Sequence, residues 1–241
     1  MFRKISNIAI AVLTLFLFVE QANAHYLWVI VENDQDDNRV ANIYFEEAPS
    51  AGDGHYLDHF LGSSDVWVRT ISHPNPEPVK ATEVKQDKNR WLRVKFSDAD
   101  EYSIDTYGKF GVYEYGSTKV LLHYYARTLK ASSHDAIHEL GRAEQLDLDF
   151  VPHDIGDQLE LTLLWKGKPV SDRMVFIRGP KGFRMNVKTN DRGRVFVEPA
   201  EPGRYTFRSS VEEPTPGSDN GEDYELIRHN ITILLDLPLE K

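Results

Sequence analysis

The sequence contains nine histidines and no cysteine. Imidazoles are therefore its borderline-soft donors, and no thiolate can act as metal ligand or nucleophile. One histidine is placed unlike the others. His25 follows Ala22-Asn23-Ala24, where small residues occupy the two positions a signal peptidase reads, and cleavage there makes His25 the first residue of the mature chain. An N-terminal histidine offers its α-amine and its imidazole Nδ1 to one ion in a six-membered chelate ring. The amine titrates near about 7.7–8.0, so a metal can displace its proton close to neutrality. One further imidazole completes a three-nitrogen T-shaped site, a histidine brace, which suits Cu(II) and can hold Ni(II). The plainer alternative is that cleavage must expose some residue and His25 is merely that one.

Three histidines compete to complete the site. His229 shares strand parity with Ile231, Ile233 and Leu235, which turns its ring inward. It reads either as a core histidine satisfied by backbone or as a ligand that a C-terminal strand presents to His25. His123 is followed by Tyr124 and Tyr125, which could serve as axial or supporting groups. His55, in Gly52-Asp53-Gly54-His55-Tyr56-Leu57-Asp58, sits in a flexible acidic loop with His59 nearby, a pattern more often found in a solvated turn. His134 and His138 have the spacing of a helical zinc-protease motif, but Asp135 stands where the general-base glutamate is needed and no third ligand follows. His73 and His153 adjoin prolines and read as surface positions. The chain lacks a Gly-X-Ser-X-Gly elbow, a phosphate-cradling glycine loop and a dinucleotide fingerprint.

These donors depend on an exported chain. Arg3 and Lys4 precede the apolar run Ile8 to Val19, 12 residues long, whereas a spanning helix needs roughly 17–25. Residues 1–24 thus read as a signal peptide, the mature protein as periplasmic or secreted and not membrane-spanning. With 28 Lys+Arg against 38 Asp+Glu, the net charge is −10. That balance argues against nucleic acid and anionic membrane surfaces as partners. Without disulfides, packing alone must hold the fold.

The elements that would position the donors are mostly strands, and the pattern predicts two tandem β-sandwich domains, residues 25–153 and 154–241. His25 to Glu32 is apolar on both faces, as a strand buried on two sides requires. Strands follow at Arg39 to Phe45, Val66 to Ile71, Val79 to Val84, Trp91 to Phe96, Glu101 to Tyr107 and Lys119 to Tyr125. His73 to Pro78 is extended or turn, since its prolines remove donors and fix φ. Ser132 to Gly141 predicts a short helix with a serine cap and a glycine stop. Beyond Asp154, Leu159, Leu161, Leu163 and Trp165 alternate with polar residues, and further strands are expected at Met174 to Ile177, Arg184 to Thr189, Arg194 to Val197, Arg204 to Ser209 and Ile227 to Leu235. Glu212 to Glu225, rich in Pro, Gly, Ser and acidic residues, reads as a long loop.

Several of these stretches resemble known modules. Trp165 to Val170, Thr189 to Val195 and Glu201 to Tyr205 resemble transthyretin-like or carboxypeptidase-regulatory-like modules, which implies an Ig/transthyretin-like second domain. His25-Tyr26-Leu27-Trp28-Val29, Tyr115-Gly116 with Leu121 to Tyr125, and Tyr224 to His229 together resemble an exported bacterial family of unknown function, described as a periplasmic component of nickel/cobalt uptake. The resemblance spans essentially the whole mature chain and implies that its members also begin with histidine.

The expected function is therefore non-enzymatic: capture of a divalent transition-metal ion (nickel, cobalt or copper) with His25 as anchor and His229, His123 or His55 completing the site. The ion would be buffered or handed to an inner-membrane metal uptake system. The resemblance favours nickel or cobalt, and the ligand chemistry alone leans toward copper. The competing expectations are a copper histidine-brace oxidase acting on polysaccharide and a metal-free envelope binding or structural module.

Overall fold

The computed structural model describes residues 25–34, 38–96, 99–155 and 158–239. The expected leader, residues 1–24, lies outside the described residues. The chain is largely β-sheet. In order it forms β1 (Tyr26–Asn33), β2 (Arg39–Glu46), β3 (Asp65–Thr70), β4 (His73–Pro78), β5 (Thr82–Gln86), β6 (Asn89–Lys95), β7 (Tyr102–Tyr115) and β8 (Thr118–Lys130). A short helix, α1 (His134–Leu140), precedes β9 (Leu148–Ile155), β10 (Gln158–Trp165), β11 (Lys168–Pro169), β12 (Met174–Arg178), β13 (Arg184–Lys188) and β14 (Arg194–Val197). The last strands are β15 (Gly203–Glu213), β16 (Gly217–Asp219), β17 (Glu222–Tyr224) and β18 (Leu226–Leu237). Among the described residues no helix is long and apolar enough to cross a membrane.

One eight-stranded sheet, in the order β13-β12-β15-β18-β8-β7-β3-β4, draws strands from both halves of the chain. Its neighbours are antiparallel except at the centre, where β8 and β18 run parallel from Val120↔Leu226 to Leu129↔Leu235. The expected boundary between residues 153 and 154 falls inside β9. A four-stranded sheet, β1-β2-β6-β5, shares a core with the N-terminal part of the long sheet: Leu27, Val29, Ala41 and Ile43 meet Ile104, Leu122, Tyr124 and Ala126. A third sheet, built on β10 with β9, β11 and β14, buries Leu159, Leu161 and Leu163 against Val175, Phe207, Ile231 and Ile233.

Side-chain alternation explains why β8 carries apolar residues on both faces. Leu122, Tyr124 and Ala126 feed one core, while Tyr125 and Leu129 feed the other. β1 behaves as its two-sided apolar pattern predicts, with Leu27, Trp28, Val29 and Ile30 all buried. The proline-rich His73 to Pro78 is the outermost strand of the long sheet, where missing N–H donors are tolerated. The capped helix forms as expected: Ser133 Oγ accepts the Ala136 N–H at 3.1 Å, and Gly141 closes it. The 212–225 segment departs from expectation. It holds the end of β15 and the β16–β17 hairpin. Asn220 and Gly221, at φ 52° and 85°, supply the two positive φ values that a tight two-residue hairpin turn needs.

Deep between the long sheet, α1 and β9 lies a charge network almost wholly buried from solvent. Arg127 bonds Asp105 at 2.7 Å and Asp149 at 2.6 Å, and also donates to the Gly141 and Phe150 carbonyls. Arg69 bonds the other Asp105 oxygen at 3.1 Å and the Leu140 carbonyl at 2.9 Å. Two guanidiniums thus face two carboxylates. Burial alone would push the Asp105 carboxyl up, but Arg127, Arg69 and hydrogen bonds outweigh it and hold Asp105 below the usual carboxylate range. Removing one partner strands buried charge on the others. Asp105→Asn is therefore expected to cost about 3–5 kcal/mol of unfolding free energy, measurable by urea denaturation at pH 7. A loss below about 1 kcal/mol would mean the network contributes little net stability.

Candidate functional site

The parallel pairing of β8 and β18 sets His123 directly beside His229. Their rings stack at 4.9 Å between centroids and 21° between planes. Each is held by a tyrosine: Tyr107 Oη lies 2.7 Å from His123 Nδ1, and Tyr125 Oη lies 3.2 Å from His229 Nδ1. His229 Nε2 reaches Glu213 Oε1 at 3.1 Å, and its ring packs on Trp165 at 4.2 Å. Burial, with His229 and Lys109 adding repulsion, pushes the His123 imidazole down to about 4. Burial also lowers His229, although Glu213 opposes it. Both rings are thus neutral near pH 7. Near-parallel rings do not converge their nitrogens on one point, so this pair is a satisfied polar layer within the sheet.

His25 stands elsewhere. It immediately precedes β1, in step with Leu27 and Val29, whose side chains enter the core shared with Leu122 and Tyr124. Thr232 of β18 donates its hydroxyl to the Leu27 carbonyl at 2.6 Å, which fixes β1 against that face of the long sheet. His123 and His229 project with Tyr125 and Ile231 from the opposite face. The sheet stands between His25 and both of them, so the expected meeting of His25 with His229 across the two halves is not made. Parity along single strands cannot reveal this, because it does not say which face a distant strand will cover.

The structure brings His55 toward His25 instead. Tyr56 receives both rings nearly edge-on: His25 at 5.1 Å and 80°, His55 at 4.6 Å and 79°. Phe45 supports His25 at 5.7 Å, and His59 stacks on Phe110 at 3.9 Å close by. His25 is half-buried, while His55 and His59 are exposed. The loop that carries His55 is tied down, contrary to its reading as flexible. Gly52 O accepts the Arg90 N–H at 3.0 Å, Glu46 Oε1 accepts Gly54 N–H at 3.2 Å, and Asp53 Oδ1 accepts the His55 N–H at 2.9 Å. At Gly54, with φ +61°, a Cβ would lie 2.7 Å from Arg90 Cβ, so glycine is required where the loop crosses β6. A 3-10 turn, Leu57–Phe60, then buries Leu57 and Phe60 and leaves His59 outside.

Among the described residues no three His, Asp or Glu side chains gather to hold a metal. Nothing in the sequence singles out Tyr56, which follows His55 in a stretch that reads as a solvated turn, or Glu213, which falls in the 212–225 segment that reads as a loop. The Asn220-Gly221 pair was the available signal that this stretch is ordered. His134 and His138 lie on the surface helix and His73 and His153 are exposed. No family model matches the sequence, and no curated protein matches it at a significant level.

The stacked pair carries a pH dependence. Both folded-state values lie below the unfolded value of about 6.5. The unfolded chain therefore binds protons first as pH falls, and the pair's contribution to stability drops from about pH 6.5 down to about 4, against an opposite contribution from Asp149, whose carboxyl burial pushes up to about 6. Urea unfolding of parent and His123→Phe between pH 4 and 8 should show the histidine contribution as a difference, the variant losing less stability as pH falls. An unchanged slope in the variant would mean that other groups carry the dependence.

Proposed function

We propose that this protein is exported to the periplasm or secreted, and that it binds a divalent transition-metal ion as cargo rather than acting as an enzyme. The α-amine and Nδ1 of a processed His25 anchor the ion, and His55 supplies the third nitrogen. The supporting observation is that His25 and His55 both pack edge-on against Tyr56, which gathers a half-buried and an exposed imidazole around one ring near the start of β1. An amine plus two imidazoles is a nitrogen set that suits copper and accepts nickel. The resemblance noted above favours nickel or cobalt and an inner-membrane uptake system as recipient. The same resemblance supports treating the two halves as β-sandwich units, the second transthyretin-like, joined through the shared sheet.

Exposure of the site supports a second reading. His55 is open to solvent and Tyr113 and Tyr115 are more than a third exposed, as a copper brace working on a polysaccharide surface would require. Copper would supply the oxygen-activating chemistry there, while His25 and His55 would hold it. Reductant- and oxygen-dependent peroxide production by copper-loaded protein separates this reading from a pure carrier, which should produce little.

The primary test is thermal unfolding of protein processed at His25, alone and with Cu(II), Ni(II), Co(II) or Zn(II). At a hundredfold excess of free ion over Kd, stabilisation is about 2.7 kcal/mol, or roughly 5–10 °C for a domain of this size. The shift should vanish when one residue is added before His25, shrink in His55→Ala and persist in His123→Phe. No shift with any ion would sink the metal proposal. A shift that survives the added residue would place the site away from His25.

A further inference from the structure

The chain is acidic overall, yet one cleft concentrates four arginines. It opens where β1 and the segment after β2 flank the outer strands β12, β13 and β15 of the long sheet, with a volume of about 530 Å³. Trp28, Phe176 and Phe183 form its apolar walls, and Arg178, Arg184, Arg204 and Arg208 supply the charge. Glu47 is the single carboxylate lining it among the described residues. The volume falls within the range of about 300–1,000 Å³ usual for small-molecule sites.

The strand register makes this concentration costly for the fold. Arg178 of β12 lies directly opposite Arg184 of β13, a like-charge cross-strand pair of the kind that destabilises a sheet. Arg208 of β15 lies opposite Phe176, one diagonal step from Arg178. Among the described residues no carboxylate forms an ion pair with Arg178, Arg184 or Arg208, whereas Arg204 lies 3.5 Å from Asp236 in a largely exposed pair. Arg178 spends its Nη1 on the Ile177 carbonyl and the Asn186 side-chain oxygen. Its burial, together with repulsion from Arg208 and Arg184, holds it below the ordinary guanidinium value. Arg208 is held between two rings, 4.6 Å from the Tyr26 centroid and 5.0 Å from that of Phe176. Stacking of this kind fixes the plane of a guanidinium without consuming its N–H donors. Packing gains nothing from setting two arginines face to face, but an anionic ligand would neutralise them.

We propose that this cleft binds a small organic polyanion: a ring-bearing body against Phe176, Phe183 and Trp28, and two or more carboxylates on the forks of Arg178, Arg184 and Arg208. Planar, bidentate recognition of oxyanions is what the guanidinium does best. The aromatic walls select a ligand with an apolar face over a bare inorganic ion. Neither His25 nor His55 lines the cleft, although Tyr26, which packs on Arg208, adjoins His25, and the site does not depend on the metal proposal.

The test is calorimetric titration of metal-free protein with three probes: benzene-1,3,5-tricarboxylate, citrate and inorganic phosphate. The expected order of affinity is that sequence, since ring and multiple carboxylates are both used. Arg184→Gln and Arg208→Gln should each weaken the tricarboxylate at least tenfold, while Arg142→Gln, outside the cleft, should leave it unchanged. Arg184→Gln relieves the repulsion across Arg178, so its melting temperature without ligand should equal or exceed that of the parent. This separates loss of a binding group from loss of fold. Phosphate binding more tightly than the tricarboxylate would overturn the ring-bearing ligand. Absence of binding by all three probes, or equal binding by the Arg184→Gln and Arg142→Gln variants, would overturn the site itself.

Discussion

The parallel pairing of β8 with β18 is the constraint on which the rest of this structure depends. It joins antiparallel strands from the N-terminal half to antiparallel strands from the C-terminal half in one sheet. Each of the two central strands must then be apolar on both faces. Ala126 and Tyr124 look one way, Tyr125 and Leu129 the other, and Ile231 and Ile233 of β18 join the second set. A register slip of one residue would exchange the two faces of either strand and spoil both cores together. The same register sets His123 beside His229, and the tyrosine and glutamate partners of that pair satisfy polar groups that a purely apolar seam would not contain.

The buried arginines anchor what the seam aligns. Arg127 projects from β8 into a space walled by α1 and β9, and its donors are shared among Asp105, Asp149 and carbonyls at the end of the helix. Ala143 N–H donates to Asp149 Oδ2 at 2.8 Å, and Gln145 reaches Asp105 at 2.7 Å, so the chain after the helix is bound into the same network. Hydrophobic contact tolerates many relative placements of helix and sheet. A network in which each donor has an assigned acceptor tolerates far fewer.

Local features of the chain were legible from sequence, and relations between distant strands were not. Two-sided burial of Leu27 to Ile30, the alternation of Leu159 to Leu163 and the Ser133-capped helix all rest on patterns within a few residues. The parallel union of β8 with β18 brings together residues about a hundred positions apart, and nothing in either strand names the other. For that reason the inward direction of His229 could be read, but not which side of the sheet it would share, and the partner of His25 came from a loop rather than from the last strand. Arg178 and Arg184 illustrate the same limit. Each looks like an ordinary surface arginine until a hairpin sets them opposite one another.

That central seam also has a kinetic consequence. β8 ends at Lys130 and β18 begins at Leu226, so the core that holds Tyr125, Leu129, Ile231 and Ile233 cannot close until the intervening polypeptide has been made and laid alongside. Loop closure of this length is entropically expensive before any contact rewards it. A nascent chain lacking β18 leaves one edge of β8 unpaired and apolar on both sides, a template for association with other chains. Joining β18 to β8 is thus the slow step that this topology imposes, after local hairpins and the core of residues 27–126 can already have formed.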